Sequence, residues 1–158
     1  MIMKKTCGIV YLNQNLDKIL LVKNKNWFKN KFFWSIPKGG CEKIDQNIED
    51  CALREFYEET GICVNLIGKK KIRLSFIIWD KIKLYLFVYI QNKLDRINNN
   101  ITNLEEISEK KWIPVRNLKK LKNKNYTVRL INKYLPQIVR KITHNCKSKN
   151  LCRSKSYY

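Results

Sequence analysis

Three glutamates, Glu55, Glu58 and Glu59, are the residues whose type and spacing point most directly to chemistry. On an α-helix the spacing i, i+3, i+4 places all three carboxylates on one face, where like charges repel one another. An ordinary solvated helix would interleave lysines with such acids, and this segment does not. Carboxylate oxygens are preferred ligands of hard divalent ions. We therefore expect this face to bind Mg²⁺ or Mn²⁺.

The helix that must carry these glutamates has its own start and stop signals. Asn47 is a good N-cap, and Glu49 and Asp50 are acids of the kind that favour a first helical turn. Gly61 directly follows Thr60 and is suited to end a helix. The pattern predicts a helix that begins after Asn47 and ends at Thr60.

Apolar patterning predicts the elements around this helix. Strands are expected over residues 6–12, 18–23, 34–36, 72–79, 82–90 and 111–113. Loops or turns are expected over residues 13–17, 24–33, 38–40 and 91–103. A short helix is expected over residues 115–121, and apolar residues with helical spacing predict a longer one from Tyr126 to Ile142. The predicted organisation is one domain over residues 1–122, a basic helix within 123–142 packed on it, and a basic flexible tail over 143–158.

Charge is distributed unevenly along the chain, whose formal net charge is +20. All 13 acidic residues lie at or before Glu109, whereas residues 110–158 contain 15 Lys and Arg and no acid. A field of one sign over a third of the chain attracts polyanions, so an RNA partner is expected. The competing interpretation is a composition rich in Lys, Asn and Ile, which explains many lysines but not the missing acids.

The sequence disfavours both a membrane protein and a protein stabilised by disulfides. No run reaches the roughly 18 apolar residues that span a bilayer, and the N-terminus carries no signal-peptide pattern. We therefore expect a cytoplasmic protein without a membrane partner. Six cysteines without a CxxC pair are expected to be reduced packing residues.

The segment from residue 40 to residue 62 resembles the Nudix box, G-x5-E-x7-R-E-U-x-E-E-x-G-U, in which U is a bulky apolar residue. The matching residues at the right spacing are Gly40, Arg54, Glu55, Phe56, Glu58, Glu59, Gly61 and Ile62. The resemblance implies the Nudix fold, an α/β sandwich with a mixed central sheet between helices, and metal-dependent hydrolysis of a diphosphate linkage.

Site roles follow from the same resemblance. It implies divalent-metal ligation by the three glutamates and the Gly39 carbonyl, with Arg54 orienting the carboxylates. Glu59 or a later loop glutamate is then the general base. The box departs from the family at Gln46, where a glutamate is usual, and Asp45 or Glu49 could substitute for it. Gly39 and Gly40 also compete for the box glycine position.

Flanking segments resemble the catalytic domain of the mRNA decapping enzymes. They include Trp34-Ser35-Ile36-Pro37-Lys38-Gly39 and the stretch from Glu106 to Pro114, which is similar to that family's E-I-x-x-x-x-W-x-P. The likeness implies that Glu106 enters the active site as a metal ligand or base, with Glu105 as the alternative. Trp-x-x-Pro-Lys-Gly also occurs in diadenosine tetraphosphate hydrolases, so the flanking likeness leaves the substrate open.

The function expected from these features is hydrolysis of the mRNA cap, releasing 7-methyl-GDP and 5′-monophosphate RNA. The chain begins directly with the Nudix strand, so a stand-alone, viral-type decapping hydrolase is expected, and a protein activator stays open. Trp27 is the candidate for stacking a base, and the expected RNA contacts are Lys38, Arg129, Lys133, Arg140 and Lys141. Two alternatives remain. One is a Nudix enzyme acting on dinucleoside polyphosphates, diphosphoinositol phosphates or nucleoside triphosphates. The other is an inactive RNA-binding Nudix module, which Gln46 favours.

Overall fold

A mixed sheet with one long helix on each face organises the chain. The computed structural model describes residues 3–26, 30–79, 81–99 and 106–153. Within these ranges the elements are β1 Lys4–Leu12, β2 Lys18–Asn26, β3 Lys31–Ser35, β4 Lys38–Gly40, α1 Ile48–Thr60, β5 Ile62–Cys63, β6 Ile72–Ile78, β7 Ile82–Ile90, β8 Arg96–Ile97, β9 Ile107–Pro114, a 3-10 helix Val115–Lys120 and α2 Tyr126–Arg153.

Strand β1 is the centre of the sheet. The strand order is β3-β2-β1-β7-β6, with β4 also paired to β1 and β9 to β2. The β1–β7 pair is parallel, from Lys4 opposite Ile82 to Leu12 opposite Ile90, and the other pairs are antiparallel. Strands β5 and β8 form a separate two-stranded sheet. Because β2 pairs with β1 only at Leu12, the first half of β1 is left to pair with β4.

Alternation along β1 divides the core into two layers. Ile9 and Tyr11 pack in the cluster that contains Phe56 of α1, whereas Val10 and Leu12 pack in the cluster that contains the apolar face of α2. Successive side chains of a strand point to opposite faces, so one strand supports both helices. The sheet therefore lies between the helices, which confirms the predicted sandwich.

The predicted ends of α1 are confirmed. The Asn47 side chain accepts hydrogen bonds from the backbone N–H groups of Glu49 (2.9 Å) and Asp50 (3.0 Å). Gly61 has the left-handed conformation, φ 72°, and its N–H donates to the Tyr57 carbonyl. These local interactions fix where α1 begins and where it ends.

Helix α2 is longer than predicted. It begins at Tyr126, as its apolar spacing predicts, and it continues to Arg153 rather than ending at residue 142. The prediction of a flexible tail from residue 143 is thus wrong as far as Arg153, and residues 154–158 lie outside the described part of the chain. Residues 143–153 contain neither Gly nor Pro, so no strong helix breaker interrupts the polar extension. Over the described residues, neither α1 nor α2 is long and apolar enough to cross a bilayer.

Two segments predicted as a loop or a turn form strands instead, and the predicted loop 91–103 also contains the short strand β8, Arg96–Ile97. Residues 24–26 belong to β2 and residues 31–33 to β3, and the two strands pair antiparallel with Asn26 opposite Lys31. Residues 38–40, predicted as a turn, form β4 and pair with Thr6, Cys7 and Gly8 of β1. A side chain at Gly8 would overlap the Pro37 carbonyl, so β4 lies unusually close to β1. Both strands depend on distant partners, which local propensity does not reveal.

The cysteines also differ from the prediction. Cys41 and Cys51 form a disulfide with a Cα–Cα distance of 5.3 Å, and the described free cysteines are buried Cys7 and exposed Cys63. The expectation of reduced cysteines is therefore wrong for this pair. The end of β4 lies against the first half of α1, which the spacing in the sequence alone does not indicate.

Candidate active site

The three glutamates of α1 lie at different depths. Glu55 is half-buried against β4, and a Cβ atom built on Gly39 would overlap its carboxylate. Glu58 is exposed, whereas Glu59 is only 4% exposed. The helix face that they share therefore extends from solvent into the space between α1 and β4. Gly39 has no side chain, which leaves room there for the Glu55 carboxylate.

Arg54 connects two of these carboxylates to the preceding loop. Its Nη1 donates to Glu55 at 3.0 Å and to Glu58 at 3.3 Å. Its Nε and Nη2 donate to the two carboxylate oxygens of Asp45 at 2.9 and 3.0 Å, and Nη2 also donates to the Gly40 carbonyl at 3.0 Å. A bidentate pair fixes the guanidinium plane, so Arg54 can orient the carboxylates.

The charge that Gln46 lacks is supplied one residue earlier. Gln46 is exposed, while the Asp45 side chain is 4% exposed and holds Arg54 in the bidentate pair. The hydrogen bond between Arg54 and Asp45 lowers the pKa of Asp45 and raises the pKa of Arg54. Glu49, the other possible substitute, instead contacts Lys71 and Tyr89. The acid beside the box arginine is therefore Asp45.

Glu59 is held by β4 and β2. Its carboxylate accepts the Lys38 backbone N–H at 3.1 Å and the Asn24 side-chain amide at 3.2 Å. Burial raises the pKa of Glu59 to about 8, although Lys38 and these hydrogen bonds oppose the shift. Burial also lowers the pKa of Lys38. Sequence reasoning missed Asn24, because it lies next to an irregularity in the β2–β9 pairing that no local pattern marks.

Glu106 lies at the start of β9 on the same side. It is exposed, and its carbonyl accepts the Lys25 backbone N–H at 3.0 Å. Burial raises the pKa of the Glu55 carboxyl; Arg54 opposes this shift, while the charges of Glu58 and Glu106 reinforce it. Glu106 is therefore close enough to interact electrostatically with the box glutamates. Trp27 and Glu105, both proposed from the sequence, lie outside the described residues.

The donor set fits a hard divalent cation. Carboxylates that are partly desolvated and mutually repulsive gain from a cation placed among them. The absence of a side chain at Gly39 lets the Glu55 carboxylate lie directly against the backbone of β4. A bound divalent ion would neutralise the diphosphate and lower the pKa of a bound water.

Basic and aromatic groups continue from this site onto α2. The Lys38 Nζ lies 5.8 Å from the centroid of the Tyr126 ring, at the first residue of α2. Trp79 is 68% exposed, and its ring centroid lies 4.8 Å from that of Tyr126. Of the five basic residues predicted to contact RNA, the four on α2 are exposed, and we call them the basic face of α2: Arg129, Lys133, Arg140 and Lys141.

Comparisons with known proteins agree with this geometry. The chain is 32% identical over 128 residues to the mRNA decapping complex subunit 2 of Schizosaccharomyces pombe, covering 80% of this chain and 16% of the relative. It is 31% identical over 106 residues to the mRNA-decapping enzyme subunit 2 of Arabidopsis thaliana, covering 66% and 26%. The chain thus spans about a quarter or less of these relatives.

Solved structures share the fold at lower identity. A NUDIX hydrolase from Nitrosomonas europaea has a TM-score of 0.65 and 16% identity, covering 84% of this chain and 88% of that one. A MutT NUDIX hydrolase from Burkholderia pseudomallei has a TM-score of 0.61 and 17% identity, covering 82% and 95%. The family model for the NUDIX domain matches residues 3–133. The chain therefore belongs to the Nudix hydrolase family.

Proposed function

We propose that this Nudix hydrolase uses Mg²⁺ or Mn²⁺ to remove the 5′ cap of mRNA, releasing 7-methyl-GDP and 5′-monophosphate RNA in the cytoplasm. The observation that carries the proposal is the continuity between the box and α2. Lys38 contacts both the Glu59 carboxylate and the Tyr126 ring. The names of the decapping relatives support the same substrate.

Each box residue has a distinct task in this proposal. Glu55, Glu58, Glu59, Glu106 and the Gly39 carbonyl would hold the divalent ions, which would supply positive charge to neutralise the diphosphate. Arg54 keeps two of these carboxylates in place, because Asp45 fixes its guanidinium plane. Glu59 and Glu106 are the acids available to take a proton from the attacking water. Burial raises the pKa of Glu59 in the metal-free protein, and a bound divalent ion would favour the carboxylate form that can accept a proton.

The RNA chain would follow the basic face of α2. Residues 129, 133 and 140 fall within about 40° of one another at 100° per residue. They lie opposite the buried residues of α2, which include Ile131, Leu135 and Ile138. A row of exposed cations beginning near Lys38 suits a polyanion that extends beyond the cleaved linkage. A free nucleotide would contact only the part of this row of cations that lies near Lys38.

A base would stack on Trp79. An exposed indole beside Tyr126, the residue whose ring the Lys38 Nζ also approaches, offers a flat face, and such stacking is worth about 1–3 kcal/mol per base. We assign this role to Trp79 because its ring lies against the residue that Lys38 contacts. The lysine and the aromatic pair would together hold the capped end near the carboxylates.

Product analysis on cap-labelled RNA tests the proposal. With Mn²⁺ or Mg²⁺, the protein should release 7-methyl-GDP, and Glu59→Gln should abolish release. Glu49→Gln is the control on the same helix, because Glu49 contacts Lys71 and Tyr89 outside the site. Faster turnover of dinucleoside polyphosphates without cap release would assign a small-molecule substrate. RNA binding with no hydrolysis of either would make the domain a binding module.

A further inference from the structure

Three cysteines beside the box form a cluster that the proposed hydrolysis does not use. Cys41 and Cys51 are joined by a disulfide, and the Cys7 sulfur lies 3.1 Å from that of Cys41. All three sulfur atoms lie within 4.8 Å of one another. Cys7 and Cys51 are fully buried, whereas Cys41 is half-buried, so an external thiol can reach Cys41 first.

The disulfide joins the two sides of the active site. Cys41 directly follows β4, which carries Lys38 and Gly39, and Cys51 lies one helical turn before Glu55 on α1. Lys38 and Gly39 both touch glutamates of α1, through a hydrogen bond to Glu59 and through close packing on Glu55. A covalent link at this place limits how far β4 can move away from α1.

We propose that Cys41 and Cys51 form a redox site that controls divalent-metal binding at the neighbouring glutamates. In the oxidised form the disulfide holds the Gly39 backbone against Glu55. A dithiol reductant opens it by attack on Cys41. The Cys41–Cys51 bond breaks, two electrons and two protons yield two thiols, and the reductant becomes a disulfide. The effect on metal binding rests on the proposed divalent site, whereas the redox chemistry itself does not.

Cys7 is a neighbour of this site rather than a participant. The Cys7 sulfur is fully buried, so an external thiol does not reach it before the half-buried Cys41. Replacing Cys7 should therefore leave the redox response intact. This expectation separates a two-cysteine redox site from a soft-metal site, which would need all three sulfurs as ligands.

Peptide mapping and metal titration test the proposal. After rapid alkylation, a non-reducing digest should contain the Cys41–Cys51 cross-link, and a dithiol should remove it. Mn²⁺ affinity, measured by electron paramagnetic resonance without substrate, should weaken several-fold on reduction. Cys41→Ser should have the weaker affinity from the start and no response to reductant. Because reductant acts on the wild-type protein, the test does not depend on a variant folding.

Controls and contrary outcomes are available within the same chain. Cys63→Ser alters an exposed cysteine, and with Cys7→Ser it should keep the wild-type response. Equal Mn²⁺ affinity in both redox forms, or no cross-link, would overturn the proposal. So would tight binding of Zn²⁺ or Cd²⁺ by the reduced protein that Cys7→Ser abolishes. A redox-dependent Mn²⁺ affinity without cap release would uphold this site and reject only the mRNA substrate.

Discussion

The depth of Glu59 predicts an unusual pH dependence of stability in the metal-free protein. Glu59 is 4% exposed, and its pKa is raised from 4.5 to about 8, chiefly by burial. Because the folded state holds this proton more tightly than the unfolded chain, the stabilising contribution is complete below about pH 4.5. It is lost as the pH rises toward 8. Glu59→Gln removes the titration while keeping one hydrogen-bond acceptor.

The size of the effect follows from the shift. Between pH 5.5 and 7.5 the folded protein binds nearly one proton more than the unfolded chain at Glu59, and each pH unit is then worth about 1.4 kcal/mol. The wild-type protein should therefore lose roughly 2 kcal/mol of unfolding free energy across this window relative to Glu59→Gln. Lys38, whose pKa is lowered by burial, is present in both proteins and contributes to both pH dependences.

Urea unfolding in chelator at pH 5.5 and 7.5 measures this difference. The comparison is between the pH dependences of the two proteins, because the variant also changes the absolute stability through its hydrogen bonds to Lys38 and Asn24. Saturating Mn²⁺ should flatten the wild-type dependence, since a cation favours the carboxylate. Identical pH dependence in wild type and Glu59→Gln, without metal, would refute the burial argument.

The remaining predictions concern the metal site and the RNA surface. Gly39→Ala should weaken Mn²⁺ binding at least tenfold, about 1.4 kcal/mol, because the added Cβ would overlap the Glu55 carboxylate. Gly40→Ala meets nothing within 4 Å and should bind like wild type; equal losses in both would contradict this reasoning. Asp45→Ala should reduce turnover about tenfold or more, because losing a residue that orients metal ligands typically costs this much. Gln46→Ala, at an exposed position, should change turnover little. The opposite ranking would reject Asp45 as the acid that supports Arg54. Alanine substitutions in the basic face of α2 should weaken binding to single-stranded RNA and reduce its salt slope by about 0.7 for each phosphate that is no longer neutralised. Hydrolysis of a free dinucleoside polyphosphate should be unaffected, and a comparable loss there would place these residues in the active site instead.

The elements that could be predicted from the sequence are those whose defining interactions join residues close together along the chain. Helix α1 could be predicted from its N-cap to its C-cap, because Asn47 and Gly61 form hydrogen bonds with the backbone within a few positions. The same periodicity placed Glu55, Glu58 and Glu59 on one face. Strand β7 was predicted with its observed limits from its apolar run. Family membership followed from the box itself.

Only the tertiary structure decided which residues contact one another when they lie far apart along the chain or on different elements. The partners of Glu59, which are Lys38 and Asn24, lie 21 and 35 positions away, and no local pattern brings them together. The choice of Asp45 over Gln46 beside Arg54 depends on how the loop returns to the helix. Periodicity and capping arise from hydrogen bonds within a few residues, whereas these pairings depend on how β2, β4 and α1 pack. The sequence therefore determined which residues form the catalytic face, and the packing of the sheet determined what holds them in place.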